Sequence, residues 1–368
     1  MNRALLARQL LLERRKLPAR EAIERIGALQ AQWPSSPYVA LWSRLRDFDQ
    51  GQLVRALERR EVVKATLMRA TLHIVSSADY LGFGGLMHDA HKAALRARLA
   101  SVGISASHVE ETAQIVGAAA AQRPQSRPEL LRLVGEGPLR SDDARPWTIW
   151  HALQATAGLV HAPASAHWRA TPGRTSFVAA RAWFGQQPAR DEGAARRLVC
   201  RYLTAFGPAS QADLTSWSGL PVALLRPALE GLQPELRMFH DETGRRLFDL
   251  ARRPLPPADT PSPVRFLPQW DSALLAYAPP ERARILPEHL RKTVIRPNGD
   301  VLPSFLVDGF VAGLWRVEQT SSKAAIVLEP FEPLSSDTRR ELEDEGARLV
   351  RFVAPEATAH AVRAGSAT

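Results

Sequence analysis

The chain has 368 residues, 45% hydrophobic and 23% charged, which suits two or three globular domains and excludes wholesale disorder. No apolar run is long enough to span a bilayer, and a single cysteine, Cys200, excludes an internal disulfide and a four-cysteine zinc site. Basic residues exceed acidic ones by 10, and residues 1–80 hold 14 basic and 8 acidic side chains. This balance favours a polyanionic partner, although a GC-rich genome, whose codons favour arginine, is an alternative cause. The N-terminus is typical of a first helix and not of a signal peptide, so we expect a cytoplasmic protein.

The first predicted elements are helices separated by turn signals. Apolar residues share one arc over residues 3–14, and Pro18 opens a second helix that buries Ile23 and Ile26. Residues 50–59 form another helix. Residues 61–67 and 71–75 are then expected to pair as strands.

A similar order of elements follows in the next part of the chain. Residues 109–121, 126–135 and 145–157 have helical periodicity. Residues 159–161 and 166–169 are predicted to form the two strands of a wing.

The clearest pattern lies in residues 193–250. Helices are predicted over 194–206, 208–217 and 220–231, followed by a hairpin over 236–250 with its tip at 241–244. Three helices followed by a hairpin is the order of a winged helix. Because the order recurs three times, we infer an internal repeat of this unit.

The character of the sequence changes after a proline-rich linker over residues 251–263. Asn298-Gly299 is a strong tight-turn signal between strand-like runs. The fold class is therefore α+β and helix-rich, with tandem winged-helix units followed by a small C-terminal β-sheet or partial barrel. Predicted strands occupy 264–267, 293–296, 301–307, 310–317, 325–328 and 348–353, with a helix over 337–346 and a frayed end over 359–368. The predicted domains are 1–95, 96–190, 191–255 and 256–368.

The usual catalytic signatures are missing. The sequence has no nucleophile elbow, no phosphate-binding loop and no His-Glu-x-x-His, and its glycines lack the dinucleotide spacing. His88 and His91 are three residues apart on a helix, which fits a solvated face better than a metal site. Cys200 is interpreted as a small core residue. The sequence predicts no metal and no organic cofactor.

One segment, residues 27–38, is unusual on physical grounds. Gln30 lies four residues after Ile26 and therefore points toward the buried side. Pro34 disfavours the helical region for Trp33, so the chain is extended there, and Gln30 and Gln32 share a face. Two inward amides need partners. They either cap the end of the helix or form a polar pocket.

Four sequence blocks resemble one known family, the AlkZ-type bacterial winged-helix DNA glycosylases of alkylation and interstrand-crosslink repair. The blocks are LQAQWPSSPYVALWSRL, TLMRATLHIVSSADY, LPQWDSALLAY and LPSFLVDGFVAGLWR. The resemblance implies three winged helices, a C-terminal β module and a catalytic Gln-x-Gln motif, here Gln30 and Gln32. Glutamine at the second position implies the crosslink-repair branch, which is linked to self-resistance against azinomycin-type antibiotics.

The chemistry of glutamine narrows the expected substrate. A carboxamide is neither a general acid nor a general base at neutral pH. N7-alkylguanine already carries positive charge and leaves as a neutral base, and N3-alkylpurines behave alike, so two amides that orient a water suffice. We expect a monomeric, monofunctional DNA glycosylase acting on double-stranded DNA with alkylated or crosslinked guanine. The alternatives are a non-enzymatic winged-helix regulator and, less well supported, a nuclease.

The expected DNA-binding side chains combine aromatic, basic and turn residues. A hairpin tip at Asn298-Gly299 has a shape that suits a groove, and the resemblance implies a hairpin in this region that contacts DNA. The predicted substrate-binding and DNA-binding residues are Trp33, Tyr38, Arg44, Lys64, Arg69, His73, Lys292, Arg296, Asn298 and Gly299.

Overall fold

The computed structural model describes residues 1–135, 146–171 and 174–365. This part of the chain has mixed α and β structure with many helices and small sheets. The α-helices are α1 Asn2–Arg8, α2 Ala19–Ile26, α3 Ser36–Arg44, α4 Gln50–Glu58, α5 Ser77–Ala100, α6 Ala106–Gln122, α7 Arg127–Gly135, α8 Pro146–Thr156, α9 Ala180–Phe184, α10 Glu192–Phe206, α11 Gln211–Ser218, α12 Val222–Gly231, α13 Arg291–Val294 and α14 Ser336–Val353. The strands are β1 Leu29–Gln30, β2 Val62–Thr66, β3 Leu72–Ser76, β4 Gln125–Ser126, β5 Leu159–His161, β6 Ser176–Ala179, β7 Leu236–His240, β8 Arg246–Leu250, β9 Arg265–Leu267, β10 Ser304–Val307, β11 Phe310–Gln319, β12 Lys323–Pro330 and β13 Ala359–Ala364.

The first segment, α1–α5 with β1–β3, contains a three-stranded antiparallel sheet in the order β1-β3-β2. The predicted pairing of 61–67 with 71–75 is confirmed. Helix α2 ends at Gly27, whose φ of 91° turns the chain into β1. A Cβ at Gly27 would lie 3.0 Å from the Cβ of Ala205 in α10, so glycine also permits close packing here. Helix α1 ends at Arg8, well before residue 14.

The second segment, α6–α9 with β4–β6, contains an antiparallel sheet in the order β4-β6-β5. Residues 159–161 are a strand as predicted, but the prediction for 166–169 is wrong. Pro163–Ala166 forms a 3-10 turn and is not available as a strand. The strand that pairs with β5 is β6. The hydroxyl of Ser165 in this turn accepts the N–H of Ser176 at 2.8 Å.

The third segment, α10–α12 with β7 and β8, confirms the predicted three helices and hairpin. Ser210 and Asp213 form a reciprocal capping box at the start of α11, and Gly219 ends that helix in the left-handed conformation. The predicted boundary after residue 95 falls inside α5, and the tandem winged-helix arrangement stays a prediction.

The C-terminal segment, β9–β13 with α13 and α14, is a five-stranded sheet in the order β13-β12-β11-β10-β9. Three predictions are wrong here. Residues 348–353 belong to α14, because Leu342, Leu349 and Val350 form a buried helical stripe. Residues 359–364 are not frayed but pair with β12 as β13, and residues 366–368 lie outside the described residues. Residues 293–296 are not a strand, because 293 and 294 end α13 and Ile295 forms only an isolated bridge with Val301.

The four segments share one large apolar core. Leu5, Phe83, Val160, Leu203 and Leu274 all belong to it, and each comes from a different helix, strand or turn. Because this core joins the first segment to the other three, the β1-β3-β2 sheet is held between its neighbours.

Candidate active site

The two glutamines of the motif contact each other directly. Gln30 ends β1 and is only 6% exposed, whereas Gln32 is exposed. The Nε2 of Gln30 donates to the Oε1 of Gln32 at 2.8 Å. The predicted proximity of the two amides is confirmed, but only Gln30 faces inward.

An arginine fixes the orientation of this amide pair. The Nη2 of Arg69 donates to the Oε1 of Gln30 at 2.9 Å, and its Nη1 donates to the carbonyl of Trp217 at the end of α11. Because a guanidinium only donates hydrogen bonds, Gln30 must turn its oxygen to Arg69 and its NH2 to Gln32. Gln32 must then present its oxygen to Gln30, so every amide in the chain has a defined direction.

The backbone around Arg69 is adapted to this role. Arg69 lies in the β2–β3 turn with φ of 54°, in the left-handed region. A Cβ at Gly219 would lie 3.0 Å from the backbone of Arg69, so the glycine that ends α11 allows the approach. Burial and the nearby Arg282 lower the pKa of Arg69 to about 10, which leaves it charged at neutral pH. The DNA contact of Arg69 stays a prediction, while these internal bonds hold its guanidinium beside the amide pair.

His73 lies directly across the sheet from Gln30. It is buried, and its Nδ1 lies 3.0 Å from the carbonyl oxygen of Thr71. Burial, with a smaller contribution from the charge of Arg69, lowers the pKa of His73 to about 3. His73 is therefore neutral under physiological conditions, and no described hydrogen bond of Gln30 or Gln32 involves a carboxylate.

Two predicted DNA-binding residues are buried in the protein. The hydroxyl of Tyr38 donates to the carbonyl of Ala166 at 3.0 Å, and burial raises the pKa of this phenol. Arg44 forms a buried bidentate pair with Asp271, with N–O distances of 2.9 and 2.8 Å. The prediction that these two side chains contact DNA is therefore corrected: both stabilise contacts between segments.

The predicted turn at Asn298-Gly299 is present and exposed. Gly299 has φ of 89°, and its N–H donates to the carbonyl of Arg296 at 2.9 Å. Lys292 and Arg296 are also exposed. The indole of Trp270 donates to the carbonyl of Gly299 at 3.1 Å, which fixes the turn on the C-terminal segment.

Residues 270–272 connect this turn to the glutamine motif. Besides the bond from Trp270, the hydroxyl of Ser272 donates to the carbonyl of Ala28 at 2.7 Å. Asp271 between them binds Arg44 at the end of α3. The turn and the amide pair are thus both anchored on one short stretch of chain.

A cavity of about 500 Å³ adjoins the amide pair, and Gln32 is part of its lining. Lys64, a predicted DNA contact, is buried in the wall of this cavity and donates to the carbonyl of Ser165 at 3.3 Å. Burial lowers the pKa of Lys64 from 10.5 to about 8. Trp33 next to Gln32 is 52% exposed.

The paired histidines of α5 do not form a solvated face. His88 is buried, and both His88 and His91 line a second cavity of about 200 Å³. Burial lowers their pKa values to about 3 and about 4. Among the described residues there is no group of three or more His, Cys, Asp or Glu that fits a metal ion.

The described helices include none with the length and apolarity to cross a membrane.

With fold and site described, comparison with known proteins identifies the class. Residues 23–352 match the model of the AlkZ-like DNA glycosylase family, so the chain belongs to this family. It is therefore a DNA glycosylase, a repair enzyme whose substrate is DNA.

A solved structure shows the same fold. The chain is similar to the Streptomyces sahachiroi DNA glycosylase AlkZ, with a TM-score of 0.83 and 22% sequence identity over 99% of this chain and 98% of that one. No curated protein sequence matches the chain.

Proposed function

We propose that this glycosylase hydrolyses the N-glycosidic bond of cationic N7-alkylguanine, with N3-alkylpurines as further substrates, and that Gln30 and Gln32 position the water. The observation that carries the proposal is the amide pair itself, with the Gln30–Gln32 bond of 2.8 Å and Arg69 donating to Gln30.

The chemistry follows from what these side chains are able to do. In N7-alkylguanine the bond between C1′ and N9 breaks with its electron pair moving to the purine, so the positive base departs neutral. The sugar passes through an oxocarbenium-like state, a water oxygen bonds to C1′, and the water proton goes to solvent. No protonation of the leaving base is required. Neutral His73 and the two amides are therefore adequate partners.

The two glutamines have different tasks in this mechanism. Gln30 is buried and its oxygen is engaged by Arg69, so its role is to hold Gln32. Gln32 is exposed, and its oxygen retains one lone pair beyond the bond from Gln30. That lone pair accepts a hydrogen from water and turns the water oxygen toward C1′.

The exposure of Gln32 also bears on the size of the lesion. A base tethered to the opposite strand cannot enter an enclosed pocket, and an exposed amide removes that need. We therefore include N7-guanine interstrand crosslinks, of the azinomycin type, among the proposed substrates. Exposed Trp33 and the turn at Asn298-Gly299, with Lys292 and Arg296, are the proposed DNA contacts.

A lesion panel tests the proposal. The enzyme is incubated with duplexes containing N7-methylguanine, an N7-linked crosslink or uracil, and free base and alkali-labile sites are measured. We expect release from the two cationic lesions and none from uracil. Uracil release at a rate comparable to that of N7-methylguanine contradicts the mechanism, because a neutral pyrimidine needs stabilisation of its anion.

A further inference from the structure

The cavity beside Gln32 is built by the sheet face opposite the amide pair. Side chains alternate along β2, so Lys64 and Thr66 project to the face opposite Ala65. Ala65 pairs with His73, which in turn pairs with Gln30. The cavity therefore lies behind the amide-bearing face, between the first and second segments, and Gln32 beyond the end of β1 reaches both.

Two residues that line the cavity each carry a buried polar atom without a partner. The Oγ1 of Thr66 and the Nδ1 of His161 are buried without any hydrogen bond, in side chains that are 8% and 6% exposed. Lys64 carries three N–H donors and one described bond, to Ser165. An unpaired buried polar group costs about 1–3 kcal/mol, so two such groups beside an incompletely bonded lysine indicate a ligand that satisfies them.

The charge of the cavity selects the ligand. Its described lining residues include Lys64 and Arg127 and no aspartate or glutamate. Arg127 lies 5.2 Å from the ring centroid of Trp150, and the described part of the chain provides no ion pair for either cation. A buried ammonium without an anion is costly. A cationic alkylpurine is repelled here, whereas an anion with several acceptor oxygens is attracted.

We propose that this cavity binds a phosphate group of the DNA backbone, held by the Lys64 ammonium, the Thr66 hydroxyl, the Arg127 guanidinium and the Nδ1 of His161. The inference rests on the proposed function in one respect, which is that the phosphate belongs to the nucleotides next to the lesion held at Gln32. A phosphate held in this cavity fixes the distance between the DNA backbone and the amide of Gln32 that positions the water.

A scan with neutral phosphate replacements tests this site without any chemistry on the base. A duplex with a tetrahydrofuran abasic analogue is synthesised with one methylphosphonate at a time, and dissociation constants are measured for wild type and Lys64→Met. For wild type, one position near the analogue is expected to cost about tenfold in affinity. For Lys64→Met, affinity for the native duplex falls by a similar factor, and the same methylphosphonate costs nothing further.

The controls separate this site from general charge effects. Lys323→Met removes an exposed lysine, so the sensitive position must cost it as much as wild type. Thr66→Val is a second variant, which removes the unpaired hydroxyl and keeps the charge of Lys64. In this variant the methylphosphonate at the sensitive position is expected to cost less affinity than in wild type. The proposal is overturned if every methylphosphonate costs Lys64→Met as much as wild type. It is also overturned if free N7-methylguanine competes with DNA for wild type but not for Lys64→Met, because the cavity is then a base pocket. Both readouts are independent of base release, so failure of the glutamine mechanism is detected separately.

Discussion

The two faces of the β1-β3-β2 sheet differ in how completely their polar side chains are hydrogen-bonded. On the amide face, Arg69 donates to Gln30 and Gln30 donates to Gln32, so these three side chains form one hydrogen-bonded series. On the opposite face, the Oγ1 of Thr66 has no partner and Lys64 has one long bond. Both faces belong to the same small sheet, and Gln30 on one face and Lys64 on the other are both buried.

This difference separates two ways of preparing a site. The hydrogen bonds from Arg69 to Gln30 and from Gln30 to Gln32 fix the orientation of the Gln32 amide before any substrate binds. Little reorganisation is therefore left for the reaction itself. Unpaired polar groups on the other face lower the stability of the free protein. A ligand that hydrogen-bonds to them removes this cost, and its affinity is increased accordingly. We therefore expect changes on the amide face to affect the rate of base release, and changes on the cavity face to affect DNA affinity and stability.

Gln32→Ala is expected to give the largest effect. It removes the amide oxygen that holds the water, and loss of one such oriented group lowers kcat by roughly 10²–10³-fold. Affinity for a duplex with an abasic analogue should change by less than about twofold, because the side chain is not charged. Single-turnover release of N7-methylguanine and a binding titration measure the two quantities. Gln114→Ala, an exposed glutamine on α6, is the matched control. Native rates for Gln32→Ala contradict the mechanism.

Arg69→Met tests the comparison by removing the first donor of the hydrogen-bonded series Arg69–Gln30–Gln32. Without the guanidinium, the amide of Gln30 is free to rotate, and we expect a fall in kcat of about tenfold with little change in KM. If Arg69 acts through Gln30, the same change costs nothing more in a Gln30→Ala background. Additive losses in this double-mutant cycle contradict the positioning role.

Arg60→Met provides the control for that cycle. Arg60 also donates to a backbone carbonyl, that of Trp183, and therefore loses a comparable structural bond. Its effect on kcat is expected to be absent. Melting temperatures of both variants report whether the loss at Arg69 is structural.

Local features of the amide face were predictable from the sequence. The β2–β3 hairpin followed from two β-rich runs around a short turn, and the proximity of Gln30 and Gln32 followed from their spacing and Pro34. These arguments need only neighbours in the chain. They also explain one error, because Gln32 lies past the end of β1 and escapes the burial that the alternation predicts.

Long-range pairs were not predictable in this way. Arg44 binds Asp271, 227 residues away, and Arg69 binds the carbonyl of Trp217, 148 residues away. The sequence predicts DNA contacts for both arginines, since nothing in the neighbouring sequence reveals a partner on another segment. The unpaired atoms of Thr66 and His161 were missed for the same reason: the cavity exists only where two segments meet.

Lys64→Met is expected to have the smallest effect on the rate of base release and, unlike the other variants, to increase the stability of the protein. Burial lowers the pKa of Lys64 from 10.5 to about 8, so at neutral pH the folded protein bears the cost of a buried charge. Methionine has a similar length and no charge, and we expect the free energy of unfolding to rise by roughly 1–3 kcal/mol at neutral pH. Chemical denaturation of the DNA-free protein measures it.

The pH dependence gives this prediction its sharpest form. Between the folded pKa of about 8 and the unfolded value of 10.5, the unfolded wild type binds more protons than the folded one, so its stability rises with pH. The advantage of Lys64→Met is therefore complete below pH 8 and shrinks across this window, whereas exposed Lys323→Met shows no such trend. If Lys64→Met is instead less stable at every pH, the bond to Ser165 outweighs the buried charge, and the cavity face is a structural contact with no need of an anion.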